Sequence, residues 1–312
     1  MIPGERSGGD LPEPGLPQLH SSSLRPCRIA GFAVLNYTFG IVRYLVSTPD
    51  QPLGNFIERF WFFSDAPPHL KERIVPSGTI ELVINLHEDE LRIYDAERQG
   101  HCNRFSGAVF SGAYAKPFAI DTLEHACVVG VHFRPGGAFP VLGVPASELS
   151  DAHVDLETLW GRSALELRER LCAAATPTER FRLLEKAFTT RLIGALEGHR
   201  AVRAALNAFG RDVSIREVAE HVGLSQRRFI QAFSNQVGMR PKLFCRVQRF
   251  QRALEFVRKI AAPDWADVAA ACGYFDQSHL IHDFQTFSGL SPTEYHRQRS
   301  DRVLTNHVPV TG

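Results

Sequence analysis

The chain has 312 residues, about two domains' worth at roughly 100–200 residues each, and 44% hydrophobic with 22% charged residues is an ordinary globular balance. Lys+Arg at 35 against Asp+Glu at 34 leaves a net charge of +1, which excludes a whole-chain electrostatic attraction to nucleic acid or to a membrane. The charge is unevenly placed instead: residues 199–302 hold 16 basic and 10 acidic side chains, a local +6, against 19 and 24, or −5, in residues 1–198.

In chain order, half of the first 26 residues are Gly, Pro or Ser, a composition that cannot offset its ordering entropy, so residues 1–40 are expected to form a flexible extension. Residues 41–198 read as a β-rich domain ending in helices, the part that the resemblance given below implies to be a sensor-like or dimerisation domain. Its apolar residues come in short runs, and the alternation Ile80/Leu82/Ile84/Leu86, with Val83 on the other face, belongs to a strand. Phe60-Trp61-Phe62-Phe63 reads as a strand with a core face and an interface face, or as the wall of an effector pocket. His125, Cys127 and His132 have metal-ligating chemistry, but scattered His and Cys on apolar strands are core residues more often than ligands, and no metal is expected. Pro135-Gly136-Gly137 reads as a strand-to-helix corner, since it has neither the lysine nor the spacing of a phosphate loop. Helical spacing then takes over, with Leu165, Leu167, Leu171 and Cys172 on one helix and Phe181, Leu184, Phe188, Leu192 and Leu196 on the next. The second stripe suits packing on its own domain or pairing with a second chain.

Residues 213–297 contain one pattern twice. Val218-Ala219 recurs as Val268-Ala269 and Gly223 as Gly273; then Phe233 recurs as Phe284, Gly238 as Gly289, Pro241 as Pro292 and Arg246 as Arg297. Each copy reads as a helix, a turn opened by a left-handed glycine, and a second helix capped by Ser225 or Asp276. That is a helix-turn-helix written twice. Between the copies, Leu243, Val247, Phe250, Leu254 and Val257 form the apolar stripe of one long helix with basic flanks. The expected fold class is α+β: a β-rich N-terminal domain with trailing helices, then an all-α domain of two helix-turn-helix subdomains joined by a long helix. Residues 300–312 are expected to be a flexible tail.

At Ala271-Cys272-Gly273-Tyr274-Phe275-Asp276-Gln277-Ser278-His279-Leu280 and Phe287 to Tyr295, the sequence resembles the DNA-binding domain of the AraC/XylS transcriptional regulators, over about residues 201–299 and within a DNA-binding domain set at 199–299. Val75 to Leu86 and Gly130 to Ala138 are similar to an uncharacterised sensor-like domain that accompanies such regulators. The resemblance implies double-stranded operator DNA as partner, RNA polymerase as a further one, a small-molecule effector and a homodimer, with no cofactor.

A recognition helix turns its polar face to the major groove, so Phe229 and Phe233 inward leave Gln226, Arg227, Ile230, Gln231 and Ser234 outward. In the second module Leu280 and Phe284 inward leave Gln277, Ser278, Ile281 and His282. Arg227 fits a guanine edge, Gln231 or Gln277 an adenine, and Ile230 or Ile281 a thymine methyl. Ser225, Arg228, Lys242, Arg246, Arg249 and Arg252 suit phosphates, which fix register without reading sequence. The sequence departs from the family at Gln231 and His282, where arginine is common.

The alternative is an enzyme with its catalytic domain in residues 41–198 and an accessory helical domain, but His-Glu-x-x-His, Gly-x-Ser-x-Gly and Walker-type motifs are all absent. Six cysteines without a C-x-x-C pair point to a reducing cytoplasm. The longest apolar stretch, residues 29–42, is interrupted by polar residues and falls short of the ~20 that span a bilayer.

Overall fold

Ile80, Leu82 and Ile84 are buried while Val83 between them is half-buried, so the period-two pattern does mark a strand. The computed structural model describes residues 27–29, 32–39, 42–64, 71–96, 101–121, 126–192, 200–209, 214–258, 260–299 and 306–310. Its strands are β1 (Cys27–Ile29), β2 (Phe32–Phe39), β3 (Val42–Ser47), β4 (Ile57–Ser64), β5 (Lys71–Ile74), β6 (Glu81–Asn85), β7 (Glu90–Asp95), β8 (Cys102–Ser106), β9 (Ala108–Ser111), β10 (Phe118–Asp121), β11 (Cys127–Phe133), β12 (His153–Asp155) and β13 (His307–Pro309). They form two antiparallel sheets, one of eight strands ordered β1-β2-β3-β4-β11-β6-β9-β12 and one of five ordered β13-β5-β10-β7-β8.

Both chain ends depart from expectation. Residues 1–40 are not all extension, because β1 pairs β2, and β2 pairs β3 from Val34↔Ser47 to Phe39↔Val42. The Gly/Pro/Ser bias stops at Pro26, and residues 27–46 are rich in aromatic and β-branched side chains that suit a ladder. Residues 300–312 are not all tail either: β13 pairs β5, Val308 is 1% exposed, and His307 Nδ1 lies 2.8 Å from Glu72 Oε2.

The helices are α1 (Phe139–Leu142), α2 (Leu156–Trp160), α3 (Arg162–Ala173), α4 (Pro177–Leu192), α5 (Arg200–Ala208), α6 (Ile215–His221), α7 (Gln226–Val237), α8 (Pro241–Arg258), α9 (Trp265–Ala271), α10 (Gln277–Ser288) and α11 (Pro292–Gln298). The α4 stripe packs on its own chain: Phe181 stacks on Phe60 of β4, and Phe188 meets Phe133 and Trp160 edge-on at 5.6 and 5.3 Å between ring centroids. Leu196 of that stripe lies outside the described residues. In β4, Phe60 and Phe62 face the core while Trp61 and Phe63 are half-buried. The Pro135-Gly136-Gly137 corner turns β11 into α1, and any side chain at Gly137 would strike the Phe56 carbonyl oxygen.

One continuous apolar core runs from the sheets through α8 to α10. Polar contacts reinforce the junction. Gln248 and Gln251 of α8 donate to the carbonyls of Ser77 and Pro76 at 3.0 and 2.5 Å, and Arg73 of β5 donates to the Ser288 carbonyl at 3.1 Å. Among the described residues no helix is long and apolar enough to cross a membrane.

Candidate nucleic-acid interface

Both modules are built as their sequences direct. Ser214 caps α6 by accepting from the Glu217 N–H at 3.2 Å while Glu217 reaches back to the Ser214 N–H, a reciprocal box that holds its carboxyl below the usual range. Gly223 and Gly273 end α6 and α9 at φ +69° and +78°, values a residue with a side chain adopts at a cost. Ser225 then caps α7 through the Arg228 N–H at 3.4 Å, and Asp276 caps α10 through the His279 N–H at 2.8 Å. Phe229 and Phe233 of α7, and Leu280, Phe284 and Phe287 of α10, are fully buried.

The outward faces hold the residues expected there except Ser234, which is half-buried with its hydroxyl enclosed because it lies on the flank of the buried Phe233 and Val237 side. Ser225, Gln226, Arg227, Arg228 and Gln231 are exposed and Ile230 is half-buried; Gln277, Ser278 and His282 are exposed and Ile281 is half-buried. Gln231 is not free to swing, because its amide donates to Asn235 Oδ1 at 2.7 Å and the same oxygen accepts the Ser147 hydroxyl at 3.1 Å. Ser147 belongs to the short 3-10 turn Ala146–Leu149, so the β-rich part of the chain touches the outward side of α7. The Ser150 hydroxyl also donates to the Gly238 carbonyl at the end of α7.

The basic side chains divide into two groups. Lys242 and Arg252 are exposed on α8 with no ion pair among the described residues. Arg246 and Arg249 instead converge on Asp283 of α10, which is 2% exposed: Arg246 Nη2 and Nε donate at 2.6 and 3.1 Å and Arg249 Nη2 at 3.3 Å. Each guanidinium also lies over a ring, Arg246 on Phe287 at 5.2 Å and Arg249 on Tyr274 at 4.4 Å. Burial pushes the Tyr274 hydroxyl upward, so it stays protonated beneath that cation. The pair expected on phosphates is thus committed first to clamping α10 onto α8.

Lys242, Arg246, Arg249 and Arg252 of α8 line a groove of about 1000 Å³ between the modules, joined by Arg203 of α5, by His279 and His282 of α10, and by Arg134 from the corner after β11. Arg134 is aimed there by donating Nε to the Gly54 carbonyl at 2.8 Å. The base-facing residues of α7, and Gln277 and Ser278 of α10, lie outside this groove. Sequence reasoning missed Asp283, Arg134, Arg203 and Ser147. It also missed Phe275, 90% exposed one residue before the α10 cap, where a family-like motif gave no hint of exposure.

Among the described residues no group of three His, Cys, Asp or Glu side chains is placed to hold a metal. His125 of the three weighed for that role lies outside the described residues. Cys127 and His132 sit near opposite ends of β11, and His132 is buried against Glu81 and Thr79, at 3.5 and 3.3 Å.

Residues 218–298 match the family described as a helix-turn-helix domain, and residues 46–155 match a domain of unknown function, DUF6597. The C-terminal third is a double helix-turn-helix domain of the kind the AraC/XylS resemblance implies. An "Uncharacterized HTH-type transcriptional regulator" of Haemophilus influenzae is 28% identical over 120 residues, 38% of this chain and 37% of that protein. A Photobacterium leiognathi protein described as "Probable transcriptional regulator LumQ" is 29% identical over 83 residues, 27% of this chain and 33% of that one. The matches therefore span about a third of these relatives. Among solved structures, an AraC-type DNA-binding regulator from Chromobacterium violaceum is 20% identical, covers 32% of this chain and 92% of its own, and has a TM-score of 0.29. Vibrio cholerae ToxT bound to an unsaturated fatty acid is 10% identical, covers 72% and 90%, and has a TM-score of 0.40.

Proposed function

We propose that this chain is a sequence-specific DNA-binding transcription regulator of the cytoplasm, not an enzyme, and that its β-rich part governs the double helix-turn-helix domain in response to a ligand or partner. The observation that carries the reading is the pair of capped helices, α7 and α10, each burying an aromatic stripe and exposing a polar one beside a groove with a surplus of positive charge.

In this reading Arg227 pairs with a guanine edge and Gln226, Gln231, Gln277, Ser278 and His282 complete the polar reading set, with Ile230 on a thymine methyl. Arg228, Lys242 and Arg252 take phosphates together with the Ser225 end of α7, and Arg203 and Arg134 extend that track. Arg246 and Arg249 hold α10 in place while lining the same groove and adding their charge to it. RNA polymerase and a second copy of the chain are the protein partners this reading implies.

The test is fluorescence-anisotropy binding of the full chain to a genomic-fragment pool and to random duplex at two salt concentrations. Selection of one fragment class by ~10³-fold or more over random DNA is expected of a specific reader. Equal, steeply salt-sensitive binding to all duplexes, or none, would refute the assignment.

A further inference from the structure

A second cleft lies between α1, α2, α3 and α4, with a volume of about 540 Å³. That is within the ~300–1,000 Å³ of small-molecule sites. Val141, Leu142 and Leu167 and the Trp160 indole give it an apolar floor. Three cations rim it: Arg170 from α3, and Lys186 and Arg191 from α4. The Arg191 guanidinium lies 3.7 Å from the centre of the Trp160 ring, held there by a bond to the Ser163 hydroxyl. The one acid in the lining, Glu166, is already engaged by Arg162 at 3.2 Å. Among the described residues none of the three cations meets a carboxylate, so the rim keeps its positive charge.

An apolar floor beneath uncompensated cations complements a molecule with an apolar body and one acidic group. The cleft is also mechanically placed. Its wall α1 is tied to its floor by the Trp160 indole N–H donating to the Val141 carbonyl at 2.9 Å. Four residues past α1 begins the 3-10 turn whose Ser147 hydroxyl meets Asn235, and through it Gln231, on the outward side of α7.

We propose that this cleft binds an amphipathic organic anion and that occupancy shifts α7 through α1 and the Ala146–Leu149 turn. The binding half stands independently, while the coupling half rests on the DNA-reading function proposed for the double helix-turn-helix domain.

The experiment is calorimetric titration of the full chain, without DNA, with decanoate, decanol and acetate. Decanoate binds, decanol binds at least tenfold more weakly, and acetate gives no heat. Lys186→Glu weakens decanoate about tenfold, as losing one charge-assisted contact does, and Thr190→Trp, which fills the mouth, abolishes it. Arg182→Glu, an exposed α4 residue outside the cleft, leaves it unchanged. Equal affinity for decanol overturns the anion assignment, and indifference to both cleft variants overturns the site. A dimer that Lys186→Glu dissociates shows that a second copy fills the cleft, which also overturns it.

In the second arm, saturating decanoate shifts the affinity for a selected DNA fragment at least threefold in the native chain and not in Ser147→Ala. Selective DNA binding that decanoate leaves unmoved refutes the coupling alone. Absence of selective binding refutes the regulator reading and the coupling, and leaves the calorimetric result standing.

Discussion

Removing the Asp283 carboxylate tests whether the clamp sets the geometry of the second module. Asp283 is 2% exposed and accepts three bonds from Arg246 and Arg249, so truncation to alanine strands two cations that converge on one point. Breaking a fully buried pair costs about 3–5 kcal/mol. Here the two guanidinium groups keep 31% and 28% side-chain exposure and regain water, which places the expected loss lower, at about 2–3 kcal/mol. Urea unfolding followed by circular dichroism measures this for Asp283→Ala, Arg246→Ala and the double variant, and a coupling of about 1–2 kcal/mol is expected for contacting partners. The same substitution removes the one acid among the described residues that line the groove, so affinity for random duplex rises at low salt even as stability falls. A loss below about 0.5 kcal/mol with no coupling, the range of ordinary surface substitutions, would falsify the clamp.

Arg227→Ala should cost ~1–3 kcal/mol on the cognate base pair only, whereas Arg252→Ala should weaken all duplexes alike and flatten the salt slope by about one; equal effects on every sequence would remove Arg227 from base reading. Burial depresses His153 to about 3, against an ordinary value of about 6.5, so it is neutral in the fold and protonated in the unfolded chain between those values. Its contribution is complete above about pH 6.5 and is lost as pH falls toward 3. His153→Phe should therefore unfold at higher urea than the native chain at pH 5, with the gap narrowing at pH 8; parallel pH profiles would contradict this. Val308→Asp should lower stability by about 2–3 kcal/mol by burying an unpaired charge against β5, read as a drop in thermal midpoint, and no drop would mean that β13 is not seated.

Local patterns carried the helix-turn-helix repeat into the structure almost residue by residue, since capping serines, left-handed glycines and a 3.6-residue aromatic stripe each act within a few residues. The strands Ile57–Ser64 and Glu81–Asn85 were legible for the same reason. Contacts between distant residues were not. Nothing near Arg246 or Arg249 in sequence announces a carboxylate 37 and 34 residues away that claims both. Neither does Ser147, one hydroxyl in a loop, reveal a partner 88 residues on. Composition misjudged both ends of the chain because a strand's stability comes from its neighbour: His307–Pro309 is short and polar-flanked, and only the β5 ladder and the buried Val308 fix it.

The strand nearest the C-terminus completes a sheet whose next member was synthesised far earlier: His307 and Glu72 are 235 positions apart. While the ribosome is still making the helical third, the outer N–H and C=O groups of β5 have no partner on that side, and such an edge is a template for a neighbouring nascent chain. Closure of this long loop also raises the contact order that slows folding. The yield of native protein is thereby tied to how fast residues 307–309 arrive relative to how crowded the unfinished chains are, so fewer unfinished chains at one time favour the native fold over edge-to-edge aggregation.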